Sequence, residues 1–235
     1  MGNKSSGLMV APRIPRRVNR ESIPLSFAQQ RLWFLDQLEP NSPLYNIPMA
    51  MRLSGALNVE ALQESLNAIV ARHEALRTTF VAVDGNPVQV IGESSTMDFR
   101  VTDLSHQPAS ERESELQSLL KEQVRRSFNL SADLMLRASL VRLGDEEHLL
   151  LLVMHHIASD GWSRGVLFRE ITALYQAFFT GESSPLPDLS VQYADYAVWQ
   201  RHWLQGENLA RQLSYWKKQL SGSPLLELPQ TDHDP

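Results

Sequence analysis

LLLLVMHHIASDGWS, residues Leu149–Ser163, changes character twice within fifteen residues. Its first six residues are all apolar, the mark of a strand covered on both faces. From Gly165 to Phe179, Leu167, Ile171, Leu174 and Phe178 recur at spacings of four, three and four, one face of a helix. His155, His156, Asp160 and Gly161 therefore fall in the turn where a buried strand hands over to a helix. Open sheets place ligand sites at such strand ends.

Successive strand residues face opposite sides. In extended geometry only one of the two histidines faces a given cavity, and the other packs behind it. Asp160 either returns toward the pair or caps the helix. Gly161 suits a positive φ or a close backbone approach. A metal site lacks support, because the chain has no cysteine and no third ligand follows at helical spacing. Ser159 lacks the flanking glycines of a nucleophile elbow.

Working outward, Ser26-Phe27-Ala28-Gln29 reads as a capping box opening a helix to about Leu38, which Pro40 stops. Leu44 to Leu53 reads as an edge or irregular strand broken by Pro48. Asn58 caps a helix with the stripe Val59, Leu62, Leu66, Ile69 and Val70, which His73 extends as a core histidine. Two strands flank Asp84-Gly85-Asn86 as a hairpin, and Phe99 and Val101 alternate as a short strand. Ser110 to Glu113 reads as a second capping box, and Met135–Leu143 and Glu147–His156 as a second hairpin. Gly181 ends the central helix. Two more helices follow, with Tyr196, Trp199 and Trp203, then Leu209, Leu213, Trp216 and Leu220, as core stripes. Hairpins and helices without strict alternation make an α/β or α+β domain.

The 235 residues are 43% hydrophobic and 21% charged, enough for one sizeable core. A net charge of −5 argues against a nucleic-acid footprint, and six consecutive apolar residues cannot span a membrane. Zero cysteines fit a cytoplasmic protein. No GxGxxG or GxxxxGK[ST] supports nucleotide binding. Met1 to Ser6 has the spacing of an N-myristoylation signal, a short pattern of the kind that arises by chance.

Four segments carry a resemblance: SFAQQRLWFL (Ser26–Leu35), RHEALRTTF (Arg72–Phe80), MHHIASDGWS (Met154–Ser163) and YADYAVWQ (Tyr193–Gln200). In this order the chain resembles the condensation domains of nonribosomal peptide synthetases. The resemblance implies an α+β sandwich, a chloramphenicol-acetyltransferase-like lobe of mixed sheet with helices packed on it. It divides the chain into a polar leader (1–22), the N-terminal lobe (23–222) and the start of a linker (223–235) to a C-terminal lobe beyond this chain. The isolated half is then expected to be inactive or weakly active.

The reaction implied is amide formation, in which an amine on one carrier-bound substrate attacks a thioester on another. Donor and acceptor peptidyl carrier proteins and the C-terminal lobe are the implied partners, with no nucleic acid and no membrane. The chain itself binds no cofactor; the 4′-phosphopantetheine belongs to the carriers. His156, second of the HHxxxDG pair, is the implied catalytic residue, and it could orient the amine, take its proton or stabilise the tetrahedral intermediate. His155 packs or orients, and Gly161 gives the pantetheine arm room. Asp160 is implied to be structural, held by an arginine, with Arg77 the first candidate and Arg72 the second. Retention of both histidines separates the chain from heterocyclization domains. SFAQQRLWFL separates it from epimerization domains and leans toward an L-donor, L-acceptor subtype. A lone lobe that only docks a carrier protein is the alternative.

Overall fold

The computed structural model describes residues 12–19, 21–93 and 96–224. The myristoylation-like pattern and the linker residues 225–235 lie outside these. The chain runs β1 (Ile23–Pro24), α1 (Phe27–Leu38), β2 (Asn46–Ser54), α2 (Val59–Arg72), a 3-10 turn (Glu74–Arg77), β3 (Thr78–Val83) and β4 (Asn86–Ile91). It continues through β5 (Phe99–Asp103), α3 (Ala109–Arg125), β6 (Leu136–Arg142), β7 (Glu147–His155), α4 (Gly161–Phe179), α5 (Tyr193–Trp203) and α6 (Gly206–Leu220). Four strands form one sheet in the order β2-β7-β6-β5, and three form another in the order β1-β4-β3. β5 and β6 are parallel while the other pairs are antiparallel, so the larger sheet is mixed.

β7 explains the unbroken apolar run. Leu150, Leu152 and Met154 pack with Leu66, Ile69 and Val70 of α2 and Leu167, Ile171 and Leu174 of α4. Leu149, Leu151 and Val153 face the other way, onto Leu32 of α1, Leu116 of α3 and Phe128. Both faces are dry, so alternation disappears from the sequence. Each fully buried leucine contributes roughly 1.5–3 kcal/mol, and β7 places four between the two layers.

Local signals set several boundaries. Ser26 Oγ accepts from Gln29 N at 3.2 Å while Gln29 Oε1 accepts from Ser26 N at 3.0 Å, the reciprocal cap read from the sequence. Asn58 Oδ1 accepts from Ala61 N at 3.0 Å. Asp84 and Gly85 both have positive φ, 50° and 77°, the geometry a two-residue hairpin loop demands.

β2 is an edge strand, as expected, and a regular nine-residue one. Its Tyr45-side end explains why. Tyr45 O accepts from His156 N at 2.9 Å, and antiparallel pairs alternate between bonded and non-bonded. Pro48, opposite Val153, therefore falls in a non-bonded pair with its nitrogen turned to the sheet margin. No ladder bond is lost.

Other expectations are corrected. Ser110 lies inside α3; Pro108 is at the cap, where its ring has no acceptor to offer, and Arg112 N already bonds Pro108 O at 2.9 Å as the first helical hydrogen bond. The central helix starts at Gly161, one turn before its apolar face becomes regular. No residue of α6 is buried: Leu213, Trp216 and Leu220 are 48%, 55% and 62% exposed, so that stripe is a bare face and not core. Within the span read as a leader, Arg16 and Arg17 are docked. Arg16 reaches Leu189 O and Ser190 O, and Arg17 is 8% exposed between Asp195 and Glu74.

Candidate active site

The handover from β7 to α4 separates the two histidines by environment. His155, the last strand residue, is 3% exposed and packs edge-on against Tyr45 and Phe128, with ring centroids at 6.3 and 5.7 Å. Its Nδ1 accepts from Ile157 N at 3.1 Å, which leaves its own proton on Nε2. Burial first, then the nearby His156 and Arg137, push its pKa down to about 4.

His156 stands one residue past the strand and is exposed. Its Nδ1 lies 2.7 Å from Ser159 O. A carbonyl only accepts, so Nδ1 carries the proton and Nε2 keeps its lone pair. The ring lines an open cleft of about 680 Å³, walled by Leu32 of α1, Leu76, Val166 of α4, Val191 and Tyr193. Ser159 is buried and donates its Oγ–H to His155 O at 3.2 Å, an arrangement that tightens the turn.

Asp160 is the N-cap of α4. Its Oδ1 accepts from Ser163 N at 2.8 Å, and Ser163 Oγ accepts from Asp160 N at 2.7 Å. The bond from the Ser163 N–H, chief among several contributions, holds its carboxyl below the ordinary carboxylate value. The expected arginine partner is not there. Among the described residues Asp160 makes no ion pair, Arg77 donates to Gly92 O, and Arg72 pairs with Glu170 at 3.2 Å while also reaching Pro187 O at 2.7 Å. A backbone donor three residues away wins over a side chain that must be brought from a distant element. Gly161 does not have positive φ, and a Cβ there would meet nothing within 4 Å, so the local backbone does not demand glycine.

Two lining residues escape a reading of the sequence. His73, expected in the core, lines the cleft, and its Nε2 lies 2.6 Å from Glu170 Oε2. Gln192 joins the loop before α5 to the α2 corner: its Oε1 accepts from Glu74 N at 3.1 Å and its Nε2 donates to Arg72 O at 2.9 Å. Spacing could not find these, because each contact spans about a hundred residues of chain. Among the described residues no three His, Asp or Glu side chains converge as a metal would require, and no helix is long and apolar enough to cross a membrane.

The family model for the condensation domain matches residues 19–235. One component of the linear gramicidin synthase of Brevibacillus parabrevis is 50% identical over 96% of this chain, which spans 4% of that protein. The phosphinothricin tripeptide synthetase PhsC of Streptomyces viridochromogenes is 45% identical over 93% of this chain and 20% of its own length. Among solved structures, the X-domain from teicoplanin biosynthesis, in its complex with OxyB, superposes with a TM-score of 0.83 at 30% identity. The match covers 97% of this chain and 50% of that one. The starter condensation domain of rhizomide synthetase, at 21% identity and a TM-score of 0.77, shares the fold. The chain thus spans about half the length of these solved relatives and a small fraction of the synthetases.

Proposed function

This chain belongs to the condensation domains of nonribosomal peptide synthetases, and from that premise we propose that it supplies the histidine-bearing lobe for amide formation. In this reading, a carrier-tethered amine attacks a carrier-tethered aminoacyl or peptidyl thioester. Donor and acceptor carrier proteins are the partners, and their 4′-phosphopantetheine arms enter the cleft. The observation that carries the reading is the exposed His156 ring, with its Nε2 lone pair free at an open apolar cleft.

The chemistry asks little of the protein. An α-amine with pKa near 7.7–8.0 is already about a tenth neutral at pH 7, and a thioester is an activated acyl donor. Holding the two together contributes more than proton removal. The His156 lone pair accepts an amine N–H, orients the nucleophile, and receives its proton as the tetrahedral intermediate forms. Coverage of half the solved relatives, together with the bare face of α6, supports a second lobe completing the cleft. Without it the isolated chain is expected to turn over weakly or not at all.

The test is amide formation between two loaded carriers by a two-lobed protein built on this chain, with and without His156→Ala. The reading requires a fall of about 10²–10⁴; unchanged turnover by folded variant protein overturns it. The likeness to an X-domain solved in complex with OxyB favours a second reading, a docking module without catalysis. Carrier binding with no amide product from the two-lobed protein would establish that instead.

A further inference from the structure

The cleft contains two imidazoles, each with one ring nitrogen already committed. His156 donates Nδ1–H to Ser159 O. His73 meets the Glu170 carboxylate through Nε2 at 2.6 Å, and a carboxylate only accepts, so the proton sits on Nε2. Arg72 Nε lies 3.2 Å from the other carboxylate oxygen, so Glu170 is shared between the two side chains. As neutral rings, what each offers outward is a lone pair: Nε2 of His156 and Nδ1 of His73. The His73 side chain is 25% exposed, and its Nδ1 makes no hydrogen bond among the described residues.

Three neighbouring polar side chains are already spent. Gln29 is divided between Ser26 N and Gln89. Gln192 bonds Glu74 N and Arg72 O. The Tyr193 hydroxyl bonds Ser26 Oγ at 3.0 Å. Leu32, Leu76 and Val166 add aliphatic wall, and the exposed Arg31 and Trp162 also line the cleft. A group lying against either ring meets apolar surface and an acceptor, and it satisfies that acceptor only by bringing a donor such as an N–H. An unmet acceptor on either side would cost roughly 1–3 kcal/mol.

We propose that His73, held in one tautomer by Glu170, is a second substrate-binding residue of the cleft. It accepts an N–H of a tethered aminoacyl group with an apolar side chain. This rests on the function proposed above and adds a contact to it. The N–H comes from the α-amine or from an amide of the pantetheine arm.

The experiment uses the chain labelled with ¹⁵N-histidine, reading each ring by long-range proton–nitrogen correlation. Without ligand, His73 should show a protonated Nε2 and a bare Nδ1, and His156 the reverse; an imidazolium or the opposite tautomer at His73 at pH 7.5 overturns the proposal. The probes are the amide of leucine with aminopantetheine and its des-amino counterpart made with 4-methylpentanoate. Movement of His73 Nδ1 with the leucyl probe alone supports the amine, and movement with both supports the arm. If His156 moves and His73 does not, the His73 assignment is overturned and the proposed function stands. If neither moves with either probe, the His73 assignment is overturned, and the proposed function is decided by the turnover of the two-lobed protein. As a second measurement, His73→Phe should weaken leucyl-probe binding about three- to tenfold, and undiminished binding by folded variant protein also overturns the assignment.

Discussion

Arg17 meets Asp195 twice, through its backbone N–H at 3.1 Å and its Nη1 at 2.7 Å, on a carboxylate that is 2% exposed. Burial alone would raise the Asp195 pKa, but the N–H bonds from Gln192 and Arg17 outweigh it and hold the carboxyl below its ordinary 3.8. Arg17→Ala strands that buried charge and is expected to cost roughly 3–5 kcal/mol, read as a lower urea midpoint. A loss below about 1 kcal/mol would show that the docked segment adds nothing.

His155 gives an acid-side signature. Its folded value of about 4 lies below the ordinary 6.5, so the folded state binds fewer protons than the unfolded chain between those values. Its contribution is complete above pH 6.5 and is lost as the pH falls toward 4, a change on the order of 3 kcal/mol. Urea midpoints taken across that window should drop in the wild type. They should stay flatter in His155→Asn, which keeps an acceptor for Ile157 N–H without titrating there.

Asp160 should behave as a cap. Asp160→Ala is expected to cost about 0.5–2 kcal/mol, and Asp160→Asn only a fraction of that, because asparagine caps nearly as well. A loss of about 4 kcal/mol in chemical denaturation would instead reveal a buried ion pair.

The bare face of α6 predicts self-association. The isolated chain should sediment as concentration-dependent oligomers, and Leu213→Gln with Trp216→Gln should return it toward monomer. A strictly monomeric wild type at high concentration would count against this.

Contacts that close within a few residues are legible from the chain. The Ser26 and Asn58 caps, the Asp84-Gly85 loop and the six-residue core of β7 each depend on neighbours or on one periodicity. So do the different surroundings of His155 and His156, which follow from strand alternation. Failures fall where a distant element decides. The sequence offers Arg72 to Asp160, but Glu170 on α4 holds it; the ring of His73 continues a helical stripe yet sits at the helix end, where the same Glu170 draws it to the cleft. Ser110 misleads for the opposite reason, since a nearer turn at Pro108 has already started the helix.

Pro48 has a consequence beyond the domain itself. The nitrogen it turns to the open side of β2 has no hydrogen, so the row of outward donors along that strand is interrupted at its third residue. An intruding polypeptide trying to zip on as a fifth strand would find a gap in the rung pattern. That gap guards the sheet edge against pairing with a strand of another copy.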